Sequence, residues 1–83
     1  MRYLTYFTTC NERIDITNSA MGTERVYYNG ELVSESWSFW GSDHNVEVIE
    51  EGKPVRYTIV VSVRMPLRIA FDIYRNGMPV LLS

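Results

Sequence analysis

This chain has a single cysteine, Cys10, and a single histidine, His44. One cysteine excludes an intrachain disulfide and any cysteine-rich metal site, and makes a reducing, cytoplasmic setting the simpler expectation. No stretch approaches the roughly 20 apolar residues of a membrane-spanning helix. The opening segment, Met1 to Cys10, has one basic residue and an apolar run broken by threonines, so it does not resemble a secretion signal. Lipoprotein processing at Cys10 would need small apolar residues where Phe7, Thr8 and Thr9 stand. Neither charge sign forms a block: eight Lys and Arg face ten Asp and Glu, for a net charge of −2. Attraction to phosphate backbones or anionic lipid is not expected to dominate binding, so neither nucleic acid nor membrane is an expected partner. No glycine-rich phosphate loop, metal-ligand cluster or catalytic constellation is present, and no cofactor is expected.

What the chain does have is apolar and aromatic: 46% hydrophobic residues, with six Tyr, three Phe and two Trp. That is too apolar for disorder, and the length suits one domain over residues 1–83 with a modest core. The clearest element is a strand from Val55 to Arg64, in which Val55, Tyr57, Ile59, Val61 and Val63 alternate with a more polar set. After a break at Met65-Pro66-Leu67, Ile69, Phe71 and Ile73 alternate again. Asn76-Gly77 then supplies two residues that tolerate positive φ, as a two-residue hairpin turn requires. Its register places Arg75 opposite Met78, Tyr74 opposite Pro79 and Ile73 opposite Val80. Pro79 thereby falls on a pair that exchanges no ladder bonds, its nitrogen faces outward, and Met78 to Leu82 is expected to be an edge strand. Asn29-Gly30 acts the same way, with Tyr28 opposite Glu31, Tyr27 opposite Leu32 and Val26 opposite Val33.

The outgoing strand continues through Trp37, Phe39 and Trp40 to a polar loop, Gly41-Ser42-Asp43-His44-Asn45. A short strand Val46 to Glu50 follows, and Glu51-Gly52-Lys53-Pro54 makes the next turn. Arg2 to Thr9 and Arg13 to Thr17 read as strands, with Asn18 to Gly22 as a loop. No stretch shows a sustained helical period. Seven or eight short strands with regular turn signals predict an all-β fold, an antiparallel β-sandwich in preference to a small barrel. The sequences around the two Asn-Gly turns share little, so the turns read as converged chemistry and not as a repeat.

From Val26-Tyr27-Tyr28-Asn29-Gly30-Glu31, through Trp37-Ser38-Phe39 with Gly41 and the strand at Tyr57, to Ile73-Tyr74-Arg75-Asn76-Gly77, the order of features resembles one β-sandwich unit of the Fas apoptotic inhibitory molecule family. The resemblance spans about residues 26–77. It implies an antiparallel sandwich without enzymatic activity or cofactor. The chain departs from that family in having one such unit and an N-terminal segment that does not align.

Each candidate for chemistry has an ordinary alternative. His44 beside Asp43 could act as a general base, but no nucleophile or substrate-placing group accompanies it, and a histidine in a turn-rich loop needs no catalytic role. Cys10, at the end of an apolar strand, is expected to be a small buried hydrophobe. Glu47, Glu50 and Glu51 are too few for a calcium site and read as outward residues of a solvated strand and turn. Trp37 and Phe39 alternate onto one face and Trp40 onto the other, where Trp40 either packs inward or stands exposed as an anchor. Two functions stand ahead of an enzyme, which would need a cleft that a sandwich of 83 residues rarely encloses. One is a non-enzymatic interaction or structural module, a candidate homodimer or partner of another protein through the last strand, using Tyr74, Met78 and Pro79. The other is a small-ligand or carbohydrate binder using Trp40, Tyr28 and His44.

Overall fold

A computed structural model describes residues 2–19, 22–37, 41–64 and 68–82. All of its regular structure is strand. The eight strands are β1 (Arg2–Phe7), β2 (Arg13–Asn18), β3 (Thr23–Tyr28), β4 (Glu31–Trp37), β5 (Gly41–Glu50), β6 (Lys53–Arg64), β7 (Arg68–Arg75) and β8 (Met78–Leu81). They form two four-stranded antiparallel sheets, ordered β1-β2-β3-β4 and β5-β6-β7-β8. The all-β class and the number of strands are as the turn spacing predicts. The chain divides into two compact units, Met1–Phe39 and Trp40–Ser83, each holding one sheet.

In the second unit the predicted alternation along β6 holds. Val55, Tyr57, Ile59 and Val61 are buried, and they are joined by Val46 of β5 and by Phe71 and Ile73 of β7. Ile59 lies opposite Ile73 and Val61 opposite Phe71. Burial of each such side chain contributes about 1.5–3 kcal/mol. In the first unit Ile14, Ile16 and Val26 are buried on one face of β2 and β3. The other face of β2 carries a buried polar residue, Asp15, which takes a hydrogen bond from Thr5 Oγ1 (2.6 Å) and an ion pair from Arg13 Nε (2.7 Å).

Both units follow one plan. In each, the third and fourth strands are joined by Asn-Gly with both residues at positive φ, 51° and 85° at Asn29-Gly30 and 49° and 83° at Asn76-Gly77. Each asparagine also closes the ladder between the second and third strands. Asn29 N–H donates to the Arg13 carbonyl (2.8 Å), and its Oδ1 accepts from Arg13 N–H (2.8 Å). Asn76 does the same with Arg56 (2.8 and 2.9 Å). Two residues beyond each arginine, a side-chain bond ties the second strand to the first: Thr5 to Asp15 in one unit, and Thr58 Oγ1 to Asn45 Oδ1 (2.8 Å) in the other. The likeness is therefore wider than turn chemistry, although the side chains around it differ.

The registers next to both turns are as expected, with Tyr28 opposite Glu31, Tyr27 opposite Leu32, Arg75 opposite Met78 and Tyr74 opposite Pro79. One pair further on, both fourth strands bulge. Val26 meets Ser34 instead of Val33, and Ile73 meets Leu81 instead of Val80. An extra residue in one strand increases the local twist and carries the strand away from a regular ladder.

The polar segment 41–45 is not a loop: it opens β5, which pairs with β6 from Gly41–Ser62 to Glu50–Lys53. Gly41 is required there by close approach. At φ +107°, a Cβ on it would lie 2.1 Å from the Val61 carbonyl oxygen. The turn into β6 is tighter than expected and uses only Glu51-Gly52. The expected break at Met65-Pro66-Leu67 lies outside the described residues, as do Phe39 and Trp40.

Replacing Asn76 by Ala removes the acceptor for Arg56 N–H and places a residue without local hydrogen bonding at positive φ. Asn76→Ala should lower the unfolding free energy in urea by about 1–2 kcal/mol. Asn76→Asp retains an acceptor oxygen and should stay within about 0.5 kcal/mol of the parent.

Candidate functional site

His44 is 1% exposed on the buried side of β5, opposite Ile59, with Nε2 at 3.3 Å from Ser42 Oγ. It is therefore a core histidine and not a loop residue open to a ligand. Tyr28 is half-buried in the first unit, and Trp40 lies outside the described residues. The structure thus does not gather Trp40, Tyr28 and His44 into a described site. Cys10, expected to be buried at a strand end, is half-buried in the turn between β1 and β2. Tyr74 is half-buried, while Met78 and Pro79 are exposed on β8. Trp37 is 62% exposed.

Glu50, expected to be an outward residue of a solvated strand, is buried instead. Its side chain is 2% exposed, not solvated, and it anchors a cluster on the buried side of the second sheet. Oε2 accepts from the Tyr57 hydroxyl, and Oε1 accepts from Arg75 Nη2 (2.9 Å) and Nε (3.3 Å). The three residues sit at the end of β5, within β6 and at the last position of β7. A buried carboxylate is tolerable only when ionic and hydrogen-bonding partners replace its water, and here they do. Burial, and then the hydrogen bond to Glu50, push the Tyr57 phenol up to about 12 from its ordinary 10.0. The Arg75 guanidinium is likewise held more firmly in its charged form, chiefly by its hydrogen bond to Glu50. This cluster fixes the root of the Asn76-Gly77 hairpin, and each of its bonds has an evident structural role. Sequence spacing gives no sign of it, because Glu50 and Arg75 are distant in the chain.

The surface is more informative. The exposed large hydrophobic residues among those described are Phe7, Leu32, Val33, Trp37, Ile49, Met78, Val80 and Leu82. Phe7 belongs to β1, Leu32, Val33 and Trp37 to β4, and Ile49 to β5. Met78 and Val80 belong to β8, and Leu82 directly follows it. Each of these four strands is the edge of its sheet, and none of the eight residues lies on an inner strand. β8 is an edge, as Pro79 predicts. Depressions are open to solvent, such as the one of mixed polar and apolar lining beside the second Asn-Gly turn, formed by Glu47, Pro54, Val55, Arg56, Thr58 and Asn76. No group of three or more His, Cys, Asp or Glu among the described residues is placed to hold a metal ion.

No family model, curated protein or solved structure matches this chain.

The Tyr57 phenol ionises less readily in the folded chain than in the unfolded one, so the protonated group favours the fold. That contribution is complete below about pH 10 and is lost as the pH rises through about 12. Unfolding in urea should show this alkaline loss of stability in the parent, and tyrosinate absorbance should show one phenol titrating near pH 12. Both features should be absent from Tyr57→Phe. Glu50→Gln, which leaves Arg75 without its ionic partner, should cost roughly 1–3 kcal/mol at neutral pH.

Proposed function

We propose that this chain is a small non-enzymatic interaction module that self-associates through an open sheet edge. The observation that carries this reading is the placement of its exposed large hydrophobic residues, which among the described residues are confined to edge strands. Edge strands present unpaired N–H and C=O groups, and apolar side chains beside them add desolvation to the hydrogen bonds a second strand would make. A net charge of only −2 opposes such contact weakly. The polar groups buried in the two units support the same reading. Asp15 and Glu50 are engaged with neighbours that hold the strands in place, which suits a scaffold.

Sedimentation equilibrium over a wide concentration range tests this reading. The apparent mass should rise from 9.7 kDa toward twice that value as concentration increases. A mass that stays at 9.7 kDa at every concentration would overturn it.

A further inference from the structure

The four edges are not equivalent, and their backbone geometry separates them. In an antiparallel ladder, alternate pairs exchange both backbone bonds, and the residues between them turn their N–H and C=O outward. Thr8 N–H donates to the Glu12 carbonyl (2.8 Å), which fixes the phase of the β1–β2 ladder. Tyr6 with Ile14 and Leu4 with Ile16 are then the bonded pairs. Phe7, Thr5 and Tyr3 turn their backbone groups away from β2. The engagement of Arg13, the partner of Phe7, with Asn29 on its other side agrees with this phase.

Three edges carry features that resist a new strand. β8 has four residues, Pro79 occupies its outward-facing position next to the turn, and a bulge follows. β4 bulges after Leu32, which breaks the even spacing of its outward groups. On β5, the engagement of Arg56 with Asn76 fixes the phase and leaves Asp43, Asn45, Glu47 and Ile49 facing outward. A second copy there would set the Asp43 carboxylates of both chains on adjacent strands and crowd the exposed ion pair of Glu47 with Arg56 (3.6 Å). β1 has none of these features: six residues paired without a register shift, no proline, and no charge among its outward-facing positions.

We propose that two copies of this chain join by antiparallel pairing of β1 with β1, with Thr5 on the two-fold axis, to form one continuous sheet β4-β3-β2-β1-β1-β2-β3-β4. This inference rests on the self-association reading and names its edge and register. With Thr5 opposite Thr5, Tyr3 falls opposite Phe7, so every outward-facing residue of the strand meets another and each facing pair exchanges both backbone bonds. Leu4 falls opposite Tyr6, and Arg2 opposite Thr8, so no like charges meet. Centring the pairing on Leu4 takes Phe7 beyond the partner strand, and centring it on Tyr6 does the same to Tyr3. An isologous strand pair of this kind is self-limiting, because the dyad consumes the edge on both copies.

The test combines sedimentation with site-directed crosslinking of the full chain. Thr5→Pro removes the N–H on the axis, which the β1–β2 ladder does not use, together with the Oγ1 bond to Asp15. It should weaken the dimer by at least about tenfold, whereas Thr5→Val, which removes only the bond to Asp15, should not. Phe7→Lys alters an exposed residue and should weaken it similarly by placing charge on the edge. In a Cys10→Ala background, Thr5→Cys should form an intermolecular disulfide, since facing residues of a bonded pair lie about 5.5 Å apart, within disulfide reach. Met78→Lys, on β8, should leave the dimer unchanged. Circular dichroism checks the fold of Thr5→Pro; if that variant does not fold, Phe7→Lys and the crosslink decide. A dimer that survives Thr5→Pro and Phe7→Lys without crosslinking, or that Met78→Lys dissociates, overturns the β1 register while self-association stands. A parent chain that is monomeric at every concentration overturns both.

Discussion

Asparagine at positive φ is the constraint on which each sheet depends. Asn29 and Asn76 each do two things at once: the backbone starts the hairpin into the last strand, and the side-chain oxygen takes the place of a carbonyl at the end of the preceding ladder. A glycine could adopt the dihedral angles but would leave the arginine N–H without its acceptor. Most other residues could do neither cheaply. Because the same residue sets the turn and terminates the ladder, the ends of three strands are aligned by one asparagine. The phase of hydrogen bonding then propagates outward, strand by strand, to the edges.

That propagation gives the edges their individual character. The phase counted from Asn76 through Arg56 and β6 leaves the acidic residues of β5 facing outward, and the hairpin itself places Pro79 on the outer side of β8. On the other sheet, the phase counted from Asn29 through Arg13 turns the backbones of three uncharged residues, Tyr3, Thr5 and Phe7, outward on β1. Proline, bulge and carboxylate are different devices with one effect, which is to make an added strand lose bonds or gain repulsion.

Where the sequence was informative, a side chain had one dominant reason to be where it is. Val55, Tyr57, Ile59 and Val61 are apolar because they are buried, and alternation states this directly. The registers beside the Asn-Gly turns follow from the turn type. Legibility failed where composition had a second explanation. Gly41, Asp43 and Asn45 have the makeup of a turn, yet Gly41 is small because the Val61 carbonyl approaches it, and Asn45 is polar because Thr58 bonds it across the ladder. The bulges fall at Val33 and Val80, β-branched residues that fit a regular strand equally well and so leave no mark. Glu50 read as solvated because its partners, Tyr57 and Arg75, become neighbours only through the register. The common plan of the two units was hidden for a related reason. It resides in hydrogen bonds, made by Thr and Asp in one unit and by Asn and Thr in the other, and the residue identities do not repeat.

Every strand in the structure pairs with the strand immediately before or after it in the chain, and neither sheet contains a crossover. The loops that must close to make each pairing are therefore short, and the entropy lost in closing them is recovered at once by the adjacent ladder. A chain wired in this way has low contact order for an all-β protein, which places it toward the fast end of that class. Emerging from a ribosome, each strand after the first of its sheet would find its partner already present, with no open sheet waiting for a distant segment to arrive.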